Sequence, residues 1–223
     1  ENLPFIDVED LFFYPRHLSG LTSGDFSLKI DHEGKINGVV DGTIDNGALY
    51  MDSFDHGKVN LSFDNKWLHF KNISLIKGDQ SMDAVFDLDL KESAFNLKGN
   101  LSGVKLEELK SIYLDRSPIA GQLDLDIESE GYLNDPVVDI VGTIKNMKFL
   151  KKPLGNLDFN ISNDDESIKL EAVFPDDSTF VNLSMKLQKD YSFDATGSVS
   201  DVNLYKLLPY TGGIIDRVLG GTF

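Results

Sequence analysis

The stretch FNLKGNLSGVKLEEL, from Phe95 to Leu109, decides the fold, because the chain writes it again as FDATGSVSDVNLYKL from Phe193 to Leu207. Phe95 matches Phe193, Gly99 matches Gly197, Leu106 matches Leu204 and Leu109 matches Leu207, with no gap. A fixed period of this length is the mark of a repeat architecture. Working outward, GDFSLKI (Gly24 to Ile30) aligns with GQLDLDI (Gly121 to Ile127), and DGTIDN (Asp41 to Asn46) with VGTIKN (Val141 to Asn146). GKVNLSF (Gly57 to Phe63) aligns with GNLDFNI (Gly155 to Ile161), and FDLDL (Phe86 to Leu90) with LSMKL (Leu183 to Leu187). The spacing changes slightly in polar turns, where insertions are tolerated.

Inside each copy, apolar residues alternate with polar ones, the period of a strand with one apolar face. Phe26, Leu28 and Ile30 open the series, followed by Val40 and Ile44, then Val59, Leu61 and Phe63. Leu68 and Phe70, with Ile73 and Leu75, come next, then Phe86, Leu88 and Leu90, then Phe95, Leu97 and Leu101. The second copy runs Leu123, Leu125, Ile127; Val138, Ile140, Ile144; Leu157, Phe159, Ile161; Ile168, Leu170; Leu183, Met185, Leu187; and Phe193 with Ala195 and Val199. Turn signals separate the runs, among them His32-Glu33-Gly34-Lys35, Asp45-Asn46-Gly47, Asp64-Asn65-Lys66 and Lys77-Gly78-Asp79. Such Asp/Asn/Gly clusters supply the positive φ that tight hairpins need. The pattern predicts an all-β chain of about seven antiparallel strands per repeat.

Between copies the period changes. Residues 5–18 have helical spacing that Pro15 and the Gly20 region end, the same element recurs as Leu106 to Leu114 and Leu204 to Tyr210, and these predict short junction helices. The expected organisation is a junction and the end of a preceding repeat over 1–23, repeat 1 over 24–120, repeat 2 over 121–219, and the start of a third repeat over 220–223. On this reading the chain is a segment of a longer array.

Composition bounds the chemistry. Twenty-one Lys and Arg against 37 Asp and Glu leave a formal net charge of -16, which argues against nucleic acid and against a basic patch on anionic lipid. With no cysteine, disulfides, thiol nucleophiles and zinc–thiolate sites are excluded. His17, His32, His56 and His69 are scattered without metal-ligand spacing, and no nucleophile elbow, phosphate loop or dinucleotide fingerprint occurs. Asp164-Asp165-Glu166 and Asp176-Asp177 read as acidic turns rather than calcium loops. No enzyme activity, metal or cofactor is expected.

An apolar row of this length must be covered by a second sheet, by the same sheet curled on itself, or by a ligand. Immunoglobulin-like sandwiches would need short polar linkers, whereas the junctions are amphipathic. The junction Gly99-Asn-Leu-Ser-Gly-Val-Lys-Leu-Glu-Glu-Leu109, the restart Ser117-Pro-Ile-Ala-Gly-Gln-Leu123, and Gly131-Tyr-Leu-Asn-Asp-Pro-Val-Val138 before Gly142-Thr143-Ile144 together resemble the AsmA-like superfamily, and within it the TamB family. The resemblance covers nearly the whole chain through degenerate motifs. It implies an elongated, curved antiparallel sheet folded into a taco-like groove with an apolar interior, in a periplasmic segment of an inner-membrane-anchored bacterial envelope protein.

The function so implied is the conduction of phospholipid between inner and outer membrane. The acyl chains would lie on Phe26, Leu28, Ile30, Val40, Ile44, Val59, Leu61, Phe63, Leu68, Phe70, Phe86, Leu88, Leu90, Phe95 and Leu97 of the first copy. In the second copy they would lie on Leu123, Leu125, Ile127, Val138, Ile140, Leu157, Phe159, Ile161, Ile168, Leu170, Leu183, Met185, Leu187 and Phe193. Partners implied are acyl chains, neighbouring repeats, and an outer-membrane barrel protein of the TamA/BamA type. Two alternatives use the same strands: a scaffold for outer-membrane protein assembly, and a tandem β-sandwich of structural or adhesive role.

Overall fold

The computed structural model describes residues 3–4, 18–110, 118–164, 167–175, 179–187 and 193–200. They form one antiparallel sheet whose strands follow sequence order, each paired with the next. The strands are β1 (Leu3–Pro4), β2 (Leu18–Ile30), β3 (Ile36–Leu49), β4 (Asp52–Phe63), β5 (Trp67–Lys77), β6 (Gln80–Asp89), β7 (Ala94–Lys105), β8 (Ile119–Tyr132), β9 (Asp135–Phe149), β10 (Lys152–Asn163), β11 (Ser167–Phe174), β12 (Thr179–Leu187) and β13 (Phe193–Ser200). Because β1 is a two-residue bridge, twelve strands carry the sheet. Among the described residues each repeat supplies six long strands, β2–β7 and β8–β13, where about seven were expected.

The two repeats share this sheet. β7 pairs with β8 from Ala94 opposite Tyr132 to Lys105 opposite Gln122, a ladder comparable with those within a repeat. Among the described strands, substantial packing runs only between hydrogen-bonded neighbours, and no second sheet faces the first. The two-sheet arrangement of a sandwich is absent from the described residues.

At the junction the described residues form a 3-10 turn, Leu106–Glu108, and the remainder of the helix expected over Leu106 to Leu114 lies, from residue 111 on, outside the described residues. Leu106 is buried there with Val104 and Leu123, and Leu101, Leu109, Ile119, Leu125, Ile144 and Phe159 pack around them. Gln80 ties the turn to the sheet: its Oε1 accepts the Lys105 N–H at 3.0 Å and its Nε2 donates to Glu108 Oε2 at 3.2 Å. The Lys77 ammonium, 2.9 Å from that carboxylate, and the Gln80 amide hold Glu108 below its ordinary pKa. The helices expected over 5–18 and over Leu204 to Tyr210, and the third-repeat start at 220–223, lie outside the described residues.

Turn chemistry explains one end of the sheet. Asp31, Asp64, Asp89 and Asp164 close the hairpins β2–β3, β4–β5, β6–β7 and β10–β11. Each accepts one or two backbone N–H groups through Oδ1, for example from Lys66 and Trp67 at 2.7 Å on Asp64. A carboxylate so placed stands in for the missing ladder partner of the turn. The backbone N–H groups of Trp67 and Lys66 hold Asp64 below its ordinary pKa. Burial pushes Asp89 up, but the N–H groups of Glu92 and Lys91 and the Lys66 ammonium outweigh it and the net direction is down.

Two sequence assignments need correction. Asp45-Asn46-Gly47 is not a turn but lies inside β3, and the hairpin closes later, at Tyr50-Met51. Asn46 has φ +50, and its counterpart Asn146 in β9 has φ +52, so the left-handed residue serves an irregularity within the strand in both repeats. The alignment of Gly24 with Gly121 is also displaced. Gly20 and Gly121 share φ +148 and +143 and sit at the same register shift, so Gly24 corresponds to Leu125. The slip is four residues, an even number, and it leaves each side chain on the face expected for it.

Candidate functional site

Directly opposed residues of an antiparallel pair lie on the same face, so the pairing registers sort the side chains into rows. One row crosses all twelve long strands: Gly24, Gly42, Val59, Ile73, Ala84, Gly99, Ile127, Ile140, Ile161, Leu170, Leu183 and Gly197. It contains no polar side chain. On one side of it runs Phe26, Val40, Leu61, Phe70, Phe86, Leu97, Ser129 and Val138, then Leu28, Gly38, Phe63, Leu68, Leu88, Phe95 and Gly131. On the other side Ile44, Gly57, Leu75, Met82, Leu101, Leu125, Gly142, Phe159, Ala172 and Val181 are in register, and beyond them Val104, Leu123, Ile144 and Leu157. Ile30 is opposite Ile36, and Ile168 opposite Met185.

Most of the expected lining residues are thus brought together on one face. Leu90 is not among them: it stands in the turn after β6, 51 % exposed. Leu187 and Phe193 pair with each other where the β12–β13 hairpin begins. Ile73, Leu75, Met82, Leu101, Val104 and Ile144 belong to the same face, although strict alternation does not select all of them. From Phe70 to Ile73 and from Leu101 to Val104 the spacing is three, and in each case a register shift restores the face. The signal was a pair of non-apolar residues, Lys71-Asn72 and Ser102-Gly103, standing where alternation allows one; Gly103, at φ +70, makes the second shift.

Glycines on this face have a packing role. Gly38, Gly47 and Gly142 stand opposite Phe63, Phe54 and Phe159, and the rings occupy the space a Cβ would fill. The aromatic surface so buried replaces the side chain the glycine lacks.

The face is nevertheless open. Among the described residues, the buried apolar side chains are few, Ile44, Phe54, Ala84, Val104, Leu106, Leu123, Met147 and Ala172, and none of the large ones is completely enclosed. Val59, Leu61, Phe63, Phe70, Phe86, Leu125, Ile127, Ile140, Phe159 and Ile161 are half-buried, and Phe26 is 81 % exposed. A folded domain of this length ordinarily buries a contiguous core between two layers.

The opposite face is mainly polar, with Val39, Val85, Val137, Val141 and Phe180 exposed among its polar residues. Ser23, Thr43, Lys58, Ser74, Asp83, Asn100, Asp126, Val141, Asn160, Glu171, Asn182 and Ser198 form its central row. Asp124 on this face clamps the irregularity in β7. Its carboxylate accepts the Gly103 N–H at 2.7 Å and pairs with Lys145 Nζ at 2.7 Å, and the Lys145 ammonium and the Gly103 N–H hold it below its ordinary pKa. No family model, curated protein or solved structure matches the chain.

The remaining candidate groups are structural in their contacts. His56 and His69 each bond an aspartate across the strands, Asp45 at 2.7 Å and Asp87 at 2.5 Å. Trp67 stacks on His69 with ring centroids 5.7 Å apart, and Lys66 Nζ lies 5.2 Å from the Trp67 ring centroid. No grouping of three or more His, Asp or Glu poised to hold a metal is found among the described residues. Nor is any helix among them long and apolar enough to cross a membrane.

Proposed function

We propose that the apolar face shields acyl chains, and that the sheet bends along its rows into a taco-like groove that conducts phospholipid between the two membranes of a bacterial envelope. The observation that supports this reading is the row from Gly24 to Gly197, twelve strands without one polar side chain, on a face that the described residues leave uncovered. An acyl chain of about sixteen carbons loses on the order of 10 kcal/mol when moved from hydrocarbon into water, at about 0.8 kcal/mol per methylene. A path between membranes must therefore stay apolar along its whole length. Rows of Leu, Ile, Val, Phe and Gly with no charge provide near-uniform surface, so a chain slides without a deep local trap. The acidic face stays in water and keeps a large sheet soluble at a net charge of -16. In this account the protein is periplasmic, anchored through other parts of a longer polypeptide, and is not an enzyme.

The test is lipid extraction and native mass spectrometry on the protein purified from a bacterial envelope. Bound phospholipid is expected, and Leu125→Glu together with Phe159→Glu should remove it while the far-ultraviolet circular dichroism of a sheet persists. Asn160→Glu, on the other face, should leave it in place. A folded protein that carries no lipid and excludes added lipid contradicts the reading.

A further inference from the structure

The edge of β2 is built to receive another strand. β1 pairs with β2 only at Leu3 opposite Thr22 and Pro4 opposite Leu21, so no described strand lies against Ser23–Ile30 on the side away from β3. All eight of those residues are exposed, and Phe26, Leu28 and Ile30 stand at 81, 52 and 64 %. The second repeat contains the same position in its filled state. With Gly20 equivalent to Gly121, the residues Gly24, Phe26, Leu28 and Ile30 correspond to Leu125, Ile127, Ser129 and Gly131. In β8 these face Leu101, Gly99, Leu97 and Phe95 of β7. β1 extends the correspondence, because Leu3 and Pro4 take the places that Val104 and Lys105 take against Leu123 and Gln122.

We infer that Ser23–Ile30 binds an antiparallel strand of β7's kind, running in line with β1, with small and apolar residues alternating toward the apolar face. The register sets its chemistry residue by residue. A glycine falls opposite Phe26, just as Gly99 falls opposite Ile127, and glycine opposite phenylalanine is the pairing this sheet already uses at Gly38–Phe63, Gly47–Phe54 and Gly142–Phe159. An exposed edge bearing alternate large apolar residues is unstable against strand addition, and main-chain bonds supply the affinity while the alternate side chains set the register. This inference rests on the pairing registers and the repeat, and stands whether or not the apolar face carries lipid.

The experiment adds an excess of the peptide AFNLKGNL, the sequence of Ala94–Leu101, to the full chain and follows amide hydrogen exchange. Alternate amides within Ser23–Ile30 should exchange about tenfold more slowly, with little change in β8 or β9. The peptide with Gly99→Val, which puts a branched side chain against the Phe26 ring, should lose the effect, as should protein carrying Phe26→Asp with the unmodified peptide. Equal protection by the Gly99→Val peptide overturns the inference. So does protection of Ser23–Ile30 in dilute protein without peptide, and so does protection that grows with protein concentration alone, which would assign the edge to a second copy.

Discussion

Tyr50, Leu150 and Lys151 occupy left-handed backbone at φ +54, +49 and +69, in two-residue hairpin loops that Leu49–Asp52 and Phe149–Lys152 close. Residues with a Cβ are strained in that region by about 1 kcal/mol or more each, and hairpins of this length favour Asn-Gly. Replacing Leu150→Asn and Lys151→Gly together should therefore raise the stability by about 1–2 kcal/mol, read as a higher urea midpoint at unchanged slope. These turns were not legible beforehand because neither carries Gly or Asn, while Asn46, which looked like a turn residue, serves an irregularity a few positions earlier, as its counterpart Asn146 does. Asp124 carries the second prediction at this scale. The Lys145 ammonium and the Gly103 N–H keep its folded pKa below the ordinary 3.8, so it binds protons more readily when unfolded. Its contribution is fully present above that value and is lost as the pH falls below it through the depressed one. Asp124→Ala should cost about 1–2 kcal/mol near neutrality, where it leaves the Gly103 N–H without its acceptor, and much less near pH 2. An equal loss at both pH values would contradict the assignment.

At the scale of strands, the alternation of apolar and polar residues suggested about seven strands per repeat where the described residues hold six, but it specified an all-β antiparallel chain and the parity of its apolar face. It did so because side-chain direction depends only on parity, and the four-residue displacement of Gly24 against Gly121 preserved parity. What escaped was wherever parity breaks inside a strand, at Lys71-Asn72 and at Ser102-Gly103, where only the partner strand reveals that the face has been recovered. At the junction a 3-10 turn over Leu106–Glu108 seats Leu106 against Val104 and Leu123. Packing within this single layer is cross-strand, which sets up a contrast between two phenylalanines. Phe159 packs on Gly142 and the junction cluster, so Phe159→Ala should cost about 2–3 kcal/mol, below the cost in an enclosed core because the site is half open. Phe26, at 81 % exposure, should change stability by no more than about 0.5 kcal/mol when made alanine. Equal losses in a urea series would mean that the two rings share one environment, and that the face is covered at its β2 edge.

Across the whole molecule the arrangement is close to one-dimensional, since each strand packs on its neighbours and the repeats meet through β7 and β8 as strands meet inside a repeat. Stability in such a sheet comes from ladders and cross-strand pairs rather than from an enclosed centre, and extension by further strands costs nothing in topology. The sequence showed that one face is apolar; that the described residues leave this face open could be seen only once the strands were paired and no second layer appeared. The most direct measurement of the central claim exploits parity. A photo-crosslinking amino acid is placed, one position at a time, from Asp124 to Glu128 of β8 in the full-length protein within a bacterial envelope. Phospholipid should be captured at Leu125 and Ile127 and not at Asp124, Asp126 or Glu128. Capture at neither set, or equally at both, would contradict a lipid-bearing apolar face.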